Sequence, residues 1–371
     1  MLDGIDTPAL LLDAEKLRRN CAQMRLRVHG HGVVLRPHVK TAKSVEVARI
    51  ALDAPAGPIT VSTLREAEYF FDHGFRDMLY AVGVVPAKVA RIAALTRRGA
   101  RISAIVDSVE GAKALVEEGD KAGVKIPAMI EIDSDGHRAG IAPGDERLHD
   151  VAEVLGDGLL GVMTHAGDSY NCDGPDGIRE VAARERKAVV SCALALRARG
   201  HACPVVSVGS TPTATFADSF AGVTEVRTGV YVFQDLVMAG LGVCSLDDIA
   251  ISVLASVIGH QEEKNWVLID AGWMALSRDR GTQKQKVDQG YGVVCDERGR
   301  PLGDLIVIDA NQEHGIVARR DHGAIDFAAF PIGSLVRVLP NHACATAAQH
   351  GEYHVLRDGK PGETWERFGG W

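Results

Sequence analysis

The residues of this chain best suited to chemistry are a lysine at a strand-to-helix turn and a histidine and cysteine two positions apart. The lysine, Lys40, stands in Arg36-Pro37-His38-Val39-Lys40-Thr41-Ala42-Lys43. Before it runs the apolar Gly32-Val33-Val34-Leu35, and after it Ser44-Val45-Glu46-Val47-Ala48-Arg49-Ile50-Ala51 with apolar residues at helical spacing. A strand therefore delivers Pro37, His38 and Lys40 to the place where α/β folds gather ligands. A lysine there is either a solvated loop residue, as most are, or an amine held against a carbonyl cofactor. The second group lies in Leu339-Pro340-Asn341-His342-Ala343-Cys344-Ala345-Thr346. In an extended segment His342 and Cys344 point to one face, an imidazole and thiolate pair suited to zinc, with positions left for water or substrate. A buried small cysteine beside a loop histidine accounts for the same letters.

The elements that must position these residues alternate regularly. Strand-like runs at 33–36, 59–62, 78–82, 101–106, 128–132, 160–164, 205–208 and 225–227 are separated by helically periodic stretches, with Asp107 or Ser108 suited to cap the fourth helix. Eight such units over about 200 residues predict a closed (β/α)8 barrel, with a doubly wound open sheet as the alternative. After residue 245 the period changes from 3.6 to 2, in runs such as Ile251-Ser252-Val253-Leu254 and Leu335-Val336-Arg337-Val338. The expected organisation is a barrel over 1–245 and a mainly β domain over 246–371, the first dozen or so residues joining the latter.

Polar residues collect just after the predicted strands. Glu131-Ile132-Asp133-Ser134-Asp135-Gly136-His137-Arg138-Ala139-Gly140 follows the fifth and Thr164-His165-Ala166-Gly167-Asp168-Ser169-Tyr170 the sixth. Gly209-Ser210-Thr211-Pro212-Thr213 follows the seventh and Thr228-Gly229-Val230-Tyr231 the eighth. Barrels often bind phosphate with the last two of these loops, and small hydroxyl-rich turns provide the donors. A plain helix cap is the other reading of Ser210 and Thr211. A lysine, a phosphate cradle, Arg138 and the rings of His165 and Tyr170 on one rim fit pyridoxal 5'-phosphate.

Composition narrows the partners. A net charge of −8 without a basic block argues against nucleic acid. No apolar run is long enough to span a bilayer, and the N-terminus lacks the regions of a signal peptide. Seven scattered cysteines without a Cys-x-x-Cys pair argue for reduced thiols in a cytoplasmic protein.

Arg36-Pro37-His38-Val39-Lys40-Thr41, Glu131-Ile132-Asp133 with Arg138-Ala139-Gly140, Gly209-Ser210-Thr211-Pro212 and Pro340-Asn341-His342-Ala343-Cys344 together resemble the fold-type III pyridoxal-phosphate enzymes. Within these the chain is similar to the D-threonine aldolase and D-serine dehydratase group, over essentially its whole length. The resemblance implies an alanine-racemase-like barrel, a homodimer, and Lys40 as the lysine bonded to the cofactor. It implies Arg138 near the phenolic oxygen, and Tyr170, Thr211 and Gly229 to Tyr231 around ring and phosphate, joining His165 and Ser210. It makes His342 and Cys344 ligands of a divalent metal (zinc, or manganese, cobalt or magnesium). Aldolases of the group often carry His-x-Asp there, so His342-x-Cys344 resembles the dehydratase branch. The implied reaction is dehydration of a D-3-hydroxy amino acid: Lys40 removes the Cα proton and the metal polarises the β-hydroxyl. threo-3-Hydroxyaspartate would give oxaloacetate and ammonia, and D-serine pyruvate. Retro-aldol cleavage to glycine and an aldehyde is the enzymatic rival, and a cofactor-carrying regulatory protein the non-enzymatic one.

Overall fold

The computed structural model describes every residue except Met1, Asp3 and His137. The chain forms two compact units, one of Ala22–Gly229 with Gly370–Trp371 and the other of Met1–Cys21 with Val230–Gly369. This division lies earlier in the chain than the change of period after 245. The backbone N–H groups of Leu236 and Val237 donate to Pro340 O and Asn341 O at 3.1 Å, and Ala250 N–H to Phe233 O at 2.7 Å. Residues 230–250 are turns and one five-residue helix, Leu236–Gly240, too short for a repeating period, so pattern alone could not assign them.

Strand β1 (Ala9–Asp13) belongs to the second unit, and the helix Ala14–Gly30 leads away from it. The first unit then builds a parallel sheet from β2 (Val34–Pro37), β3 (Ile59–Val61), β4 (Asp77–Gly83), β5 (Arg101–Val106), β6 (Ala128–Ile132), β7 (Leu159–Thr164), β8 (Val205–Val208) and β9 (Glu225–Thr228). The order is β2-β9-β8-β7-β6-β5-β4-β3, and a bridge between His38 and Thr60 joins the two ends into a nearly closed barrel. Caps set the helix starts: Thr63 Oγ1 accepts from Glu66 N–H, and Ser108, not Asp107, accepts from Gly111 N–H. The helix expected from Lys43 starts at Val45, because Lys43 takes a left-handed φ of 46°.

The barrel interior has two characters. Leu79, Ile105, Met129 and Met163 form an apolar plug. Across the same interior runs a polar chain. Asp77 Oδ1 accepts from Arg36 Nη1 at 2.7 Å, and Glu225 Oε2 from Arg36 Nε at 2.5 Å. Glu225 Oε1 accepts from Ser207 Oγ at 2.7 Å. Arg227 Nε donates to Ser207 Oγ at 2.8 Å, and its Nη2 to the Thr164 carbonyl. Strand alternation explains the pairing, since Glu225 and Arg227 are two residues apart and face one side of β9.

The second unit is a nine-stranded sheet of β1 with β10 (Ile251–Gln261), β11 (Trp266–Ile269), β12 (Val293–Cys295), β13 (Pro301–Ala310), β14 (Gly315–Arg319), β15 (Leu335–Leu339), β16 (Glu352–Arg357) and β17 (Lys360–Glu366). Because β11 pairs with both β14 and β10, strands β10 to β15 close on themselves, and β1, β16 and β17 extend the ring. β1 pairs antiparallel with β10 and parallel with β16. Leu236, Ile249, Val293, Cys295, Ile306 and Leu339 pack as one core here. No helix among the described residues is long and apolar enough to cross a membrane, and the seven cysteines form no disulfide.

Removing Glu225 leaves the guanidinium groups of Arg36 and Arg227 buried without their shared carboxylate. Glu225→Ala is expected to cost about 3–5 kcal/mol, read as a lower urea midpoint with an unchanged m-value.

Candidate functional site

Lys40 is exposed, but the loop carrying it is held on both sides. Val39 N–H donates to Thr60 O at 2.9 Å, and Lys43 N–H to Val39 O at 2.8 Å. The Lys43 ammonium lies 3.3 Å from Glu66 Oε1, and this fully buried carboxylate also accepts from Ser62 N–H at 2.6 Å and Ser62 Oγ at 2.5 Å. An exposed amine thus extends from a fixed platform, an arrangement suited to forming and releasing a covalent bond.

The loops after β6, β7, β8 and β9 meet at the same end of the barrel. His165 Nδ1 lies 2.8 Å from the Gly209 carbonyl, so Nδ1 carries the proton and Nε2 keeps its lone pair. Burial lowers the His165 pKa to about 4, with Lys40, Arg227 and Arg138 adding to the shift against the Gly209 hydrogen bond. Burial, then Lys40, Arg227 and His165, hold His38 well below the usual imidazole range. Both rings are therefore neutral bases in a cationic surrounding. The ring of Tyr170 stands 6.3 Å from that of His165, tilted by 42°. Asp135 Oδ2 accepts from Asp168 N–H at 2.9 Å, tying the two loops together. Arg138 is exposed, and its Nη2 reaches the buried Glu131 Oε1 at 3.3 Å.

The hydroxyl-rich turn turns out to be a helix cap. Ser210 caps the short helix Thr211–Phe216 in a capping box with Thr213, and its Oγ lies 2.9 Å from Ser169 Oγ. Thr211 Oγ1 is bonded to Thr228 Oγ1, which joins the ends of β8 and β9. Gly209 and Gly229 are required by close approach: a Cβ at Gly209 would sit 1.7 Å from Arg227 O, and one at Gly229 2.9 Å from His38 O and Thr41 Oγ1. The barrel unit thus brings together Lys40, Arg138, His165, Tyr170, Ser210, Thr211 and Gly229. Val230 and Tyr231, grouped with them above, are buried residues of the other unit. An exposed amine, a guanidinium and neutral imidazoles beside paired hydroxyls suit a carbonyl cofactor that carries an anionic group.

The second constellation lies wholly in the β-rich unit. The segment after β15 is not the extended strand that alternation suggested. His342 is the N-cap of the helix Ala343–Ala347, with φ −132° and ψ 107°, so Cys344 stands in a first helical turn. The side chains still converge, because His342 and Cys344 are hydrogen-bonded to one another across the cap. Asp279 Oδ2 lies 2.6 Å from His342 Nδ1, which orients the ring and directs Nε2 away from the carboxylate. Asp235 braces the turn, its Oδ2 accepting from Ala343 N–H and its Oδ1 from Met238 N–H, both at 2.9 Å. Asn341 is fixed by Thr282 Oγ1 and Gly290 O, each at 2.6 Å. Burial opposes charge on His342, yet Asp279, Cys344 and Asp235 raise its pKa to about 11. The pocket therefore favours a cation strongly. Among the described residues no three His, Cys, Asp or Glu side chains form a ligand cluster, so a metal here would be held by the imidazole and thiolate with water or substrate completing its shell.

Arg227, Glu185, Asp279 and Asp235 escaped the sequence reading. For Arg227 a signal existed: Glu225-Val226-Arg227 sends two charges to one face of a buried strand. For Asp279, distant in sequence from His342, none did.

Comparison with known proteins gives the class first. Residues 12–236 match the "Alanine racemase, N-terminal domain" family and residues 250–356 the "Putative serine dehydratase domain" family. The fold is shared with the alanine racemase of Bacillus anthracis, at TM-score 0.70 and 15% identity over 98% of both chains. The chain is 52% identical to D-threo-3-hydroxyaspartate dehydratase of Delftia sp., covering 99% of this chain and 98% of that protein. The solved structure of that enzyme superposes with a TM-score of 0.97 over 99% of both chains. D-serine dehydratase of Dictyostelium discoideum is 32% identical over 98% of both, and D-threonine aldolase of Arthrobacter 29% identical over 98% and 93%. The chain belongs to the pyridoxal-phosphate-dependent family that joins an alanine-racemase N-terminal domain to a serine dehydratase domain, that of the D-threo-3-hydroxyaspartate and D-serine dehydratases.

His165 is expected to stay neutral, its imidazole 15N shifts constant from about pH 8 to about pH 5. Between 6.5 and about 4 the unfolded chain binds a proton that folded His165 refuses, so this residue's contribution to stability falls as pH falls. His165→Asn should flatten that part of the stability profile measured by urea unfolding.

Proposed function

We propose that this protein is a pyridoxal-phosphate- and divalent-metal-dependent lyase. It dehydrates a D-3-hydroxy amino acid, threo-3-hydroxyaspartate foremost and D-serine second, to a 2-oxo acid and ammonia. The observation that carries this is the 52% identity with a D-threo-3-hydroxyaspartate dehydratase across nearly the full length of both chains. The match of residues 250–356 to a serine dehydratase domain goes against a regulatory protein made of the barrel alone.

Bound at Lys40, the cofactor supplies an electron sink for negative charge developing at Cα. Bound by His342 and Cys344, a divalent ion supplies Lewis acidity toward the departing β-hydroxyl. Solved variants of D-threo-3-hydroxyaspartate dehydratase support that pair: one replaces a histidine and another, in the metal-free form, a cysteine two positions further on.

The remaining work falls to this chain's own side chains. Lys40 Nζ takes the Cα proton, its stem free to move over the loop fixed by Glu66. Arg138, oriented through Glu131, would hold the phenolic oxygen. His165 presents a neutral ring, so no second cation competes for the substrate's carboxylates. Ser210 and Thr211 carry the turn after β8 that would receive the phosphate, with Tyr170 and Gly229 to lie beside ring and phosphate and Val230 and Tyr231 following Gly229 in the chain. Asp279 fixes the His342 tautomer. The atoms balance without a redox partner: Cα gives up H+ and Cβ gives up OH−, and the unsaturated amine is hydrolysed to the 2-oxo acid and ammonia. A homodimer in a reducing, cytoplasmic setting belongs to the same reading.

Retro-aldol cleavage is the second reading, favoured by the 29% identity with D-threonine aldolase. Incubation with threo-3-hydroxyaspartate, D-serine and D-threonine separates the two. A 2-oxo acid with ammonia supports dehydration, whereas glycine with an aldehyde overturns it. Lys40→Ala is expected to lose the cofactor's imine absorbance and at least about 10²-fold in kcat. Asp279→Asn should bind zinc about 10–100-fold more weakly in a chelator competition, with the fold intact by circular dichroism.

A further inference from the structure

Glu185 lies in the middle of the long helix Pro175–Ala198, behind the rim, and only 2% of it is exposed. A carboxylate on a barrel helix usually faces water. This one is turned inward, and three donors from two loops meet it. Its Oε1 accepts from Gly209 N–H at 2.8 Å, and the Thr213 hydroxyl and the Ala166 N–H also donate to it. Gly209 and Thr213 bracket the Ser210-Thr211 turn, and Ala166 follows His165. The Gly209 carbonyl in turn accepts from His165 Nδ1. One carboxylate therefore holds both the turn after β8 and the turn after β7, and through Gly209 it aims the acceptor that fixes the His165 tautomer.

From this arrangement we propose that Glu185 is a positioning residue for cofactor binding, setting the phosphate-receiving turn and His165 as a single unit. The assignment rests on the pyridoxal-phosphate reading given above. Glu185 is buried behind these turns and acts through them. Its carboxylate is suited to the task because it is acceptor-only, whereas all three groups aimed at it are donors. The charge lies near the buried Arg227, yet that attraction does not cover its desolvation. Burial raises the carboxyl to about 7 against the pull of Gly209, Thr213, Arg227 and Ala166, so near neutral pH the ionised form is a cost to folding. A carboxyl turned inward from a barrel helix and bonded to the turns after β7 and β8 points to function instead of packing.

Glu185→Gln tests this, because it keeps the shape but sets an amide N–H₂ against one of the donors. In the full-length protein it should melt no lower than the parent, since a buried charge is gone. It should bind pyridoxal phosphate at least about tenfold more weakly, the share of one charge-assisted hydrogen bond. Pyridoxal, which lacks the phosphate, should lose less. Glu185→Asp, which keeps the charge but retracts it from both loops, should show the same preference. Unchanged affinity for pyridoxal phosphate in Glu185→Gln overturns the proposal. So does a fall in melting temperature in both variants with equal losses for the two ligands, the pattern of a merely structural carboxylate. If the parent itself binds no pyridoxal phosphate, the cofactor reading fails first and this assignment fails with it.

Discussion

A guanidinium sealed inside a barrel has to be answered from every side, and Arg227 shows how far that requirement reaches. Its donors are taken by Ser207 and the Thr164 carbonyl, and its charge is balanced by Glu225, Glu185 and Glu131. Glu225 is shared with Arg36, which leans in turn on Asp77 near the opposite end of the strands. A buried charge without these partners would cost several kcal/mol, so strands β2, β4, β7, β8 and β9 are obliged to keep register. The same field sets the chemistry above it. With Arg227, Lys40 and Arg138 close by, burial of His165 and His38 can end only in neutral rings.

The β-rich unit applies the opposite sign. Around His342 the Asp279 and Asp235 carboxylates and the Cys344 thiol raise the proton affinity of the ring instead of lowering it. The ring keeps its proton to about pH 11, so the surroundings favour positive charge at this point. Two imidazole environments in one chain are thus tuned in contrary directions by the charges packed against them. His165 is kept neutral next to groups suited to a cofactor, and His342 is kept in a pocket fit for a metal.

Much of this architecture was legible in the residues. Eight apolar strand runs with helical spacing between them favoured a barrel over an open sheet, and they place Lys40, Arg138, His165 and Ser210 just after the first, fifth, sixth and seventh of those runs. The boundary of the β-rich unit was not legible, because residues 230–250 form turns and one short helix, tied to Pro340 and Asn341 through Leu236 and Val237, and such contacts leave no period. The reading of Ser210 and Thr211 shows a different limit. A capping serine and a phosphate-binding serine look alike in sequence, and here the hydroxyl is occupied by its cap, so the turn offers its backbone and shape rather than a spare Ser210 oxygen.

His342 and Cys344 mark the division most clearly. Their spacing was enough to suggest a pair of metal ligands, since two residues that close in the chain can meet in several local conformations. They meet at a helix start and not along an extended strand, the conformation that strict alternation predicts. What surrounds them was beyond the reach of sequence: Asp279 lies 63 positions away and Asp235 over a hundred. Local chain geometry is encoded by neighbouring residues, and it determined which groups could do chemistry. The electrostatic field that assigns each its protonation state is a sum over distant charges, and only the tertiary structure brings those into range.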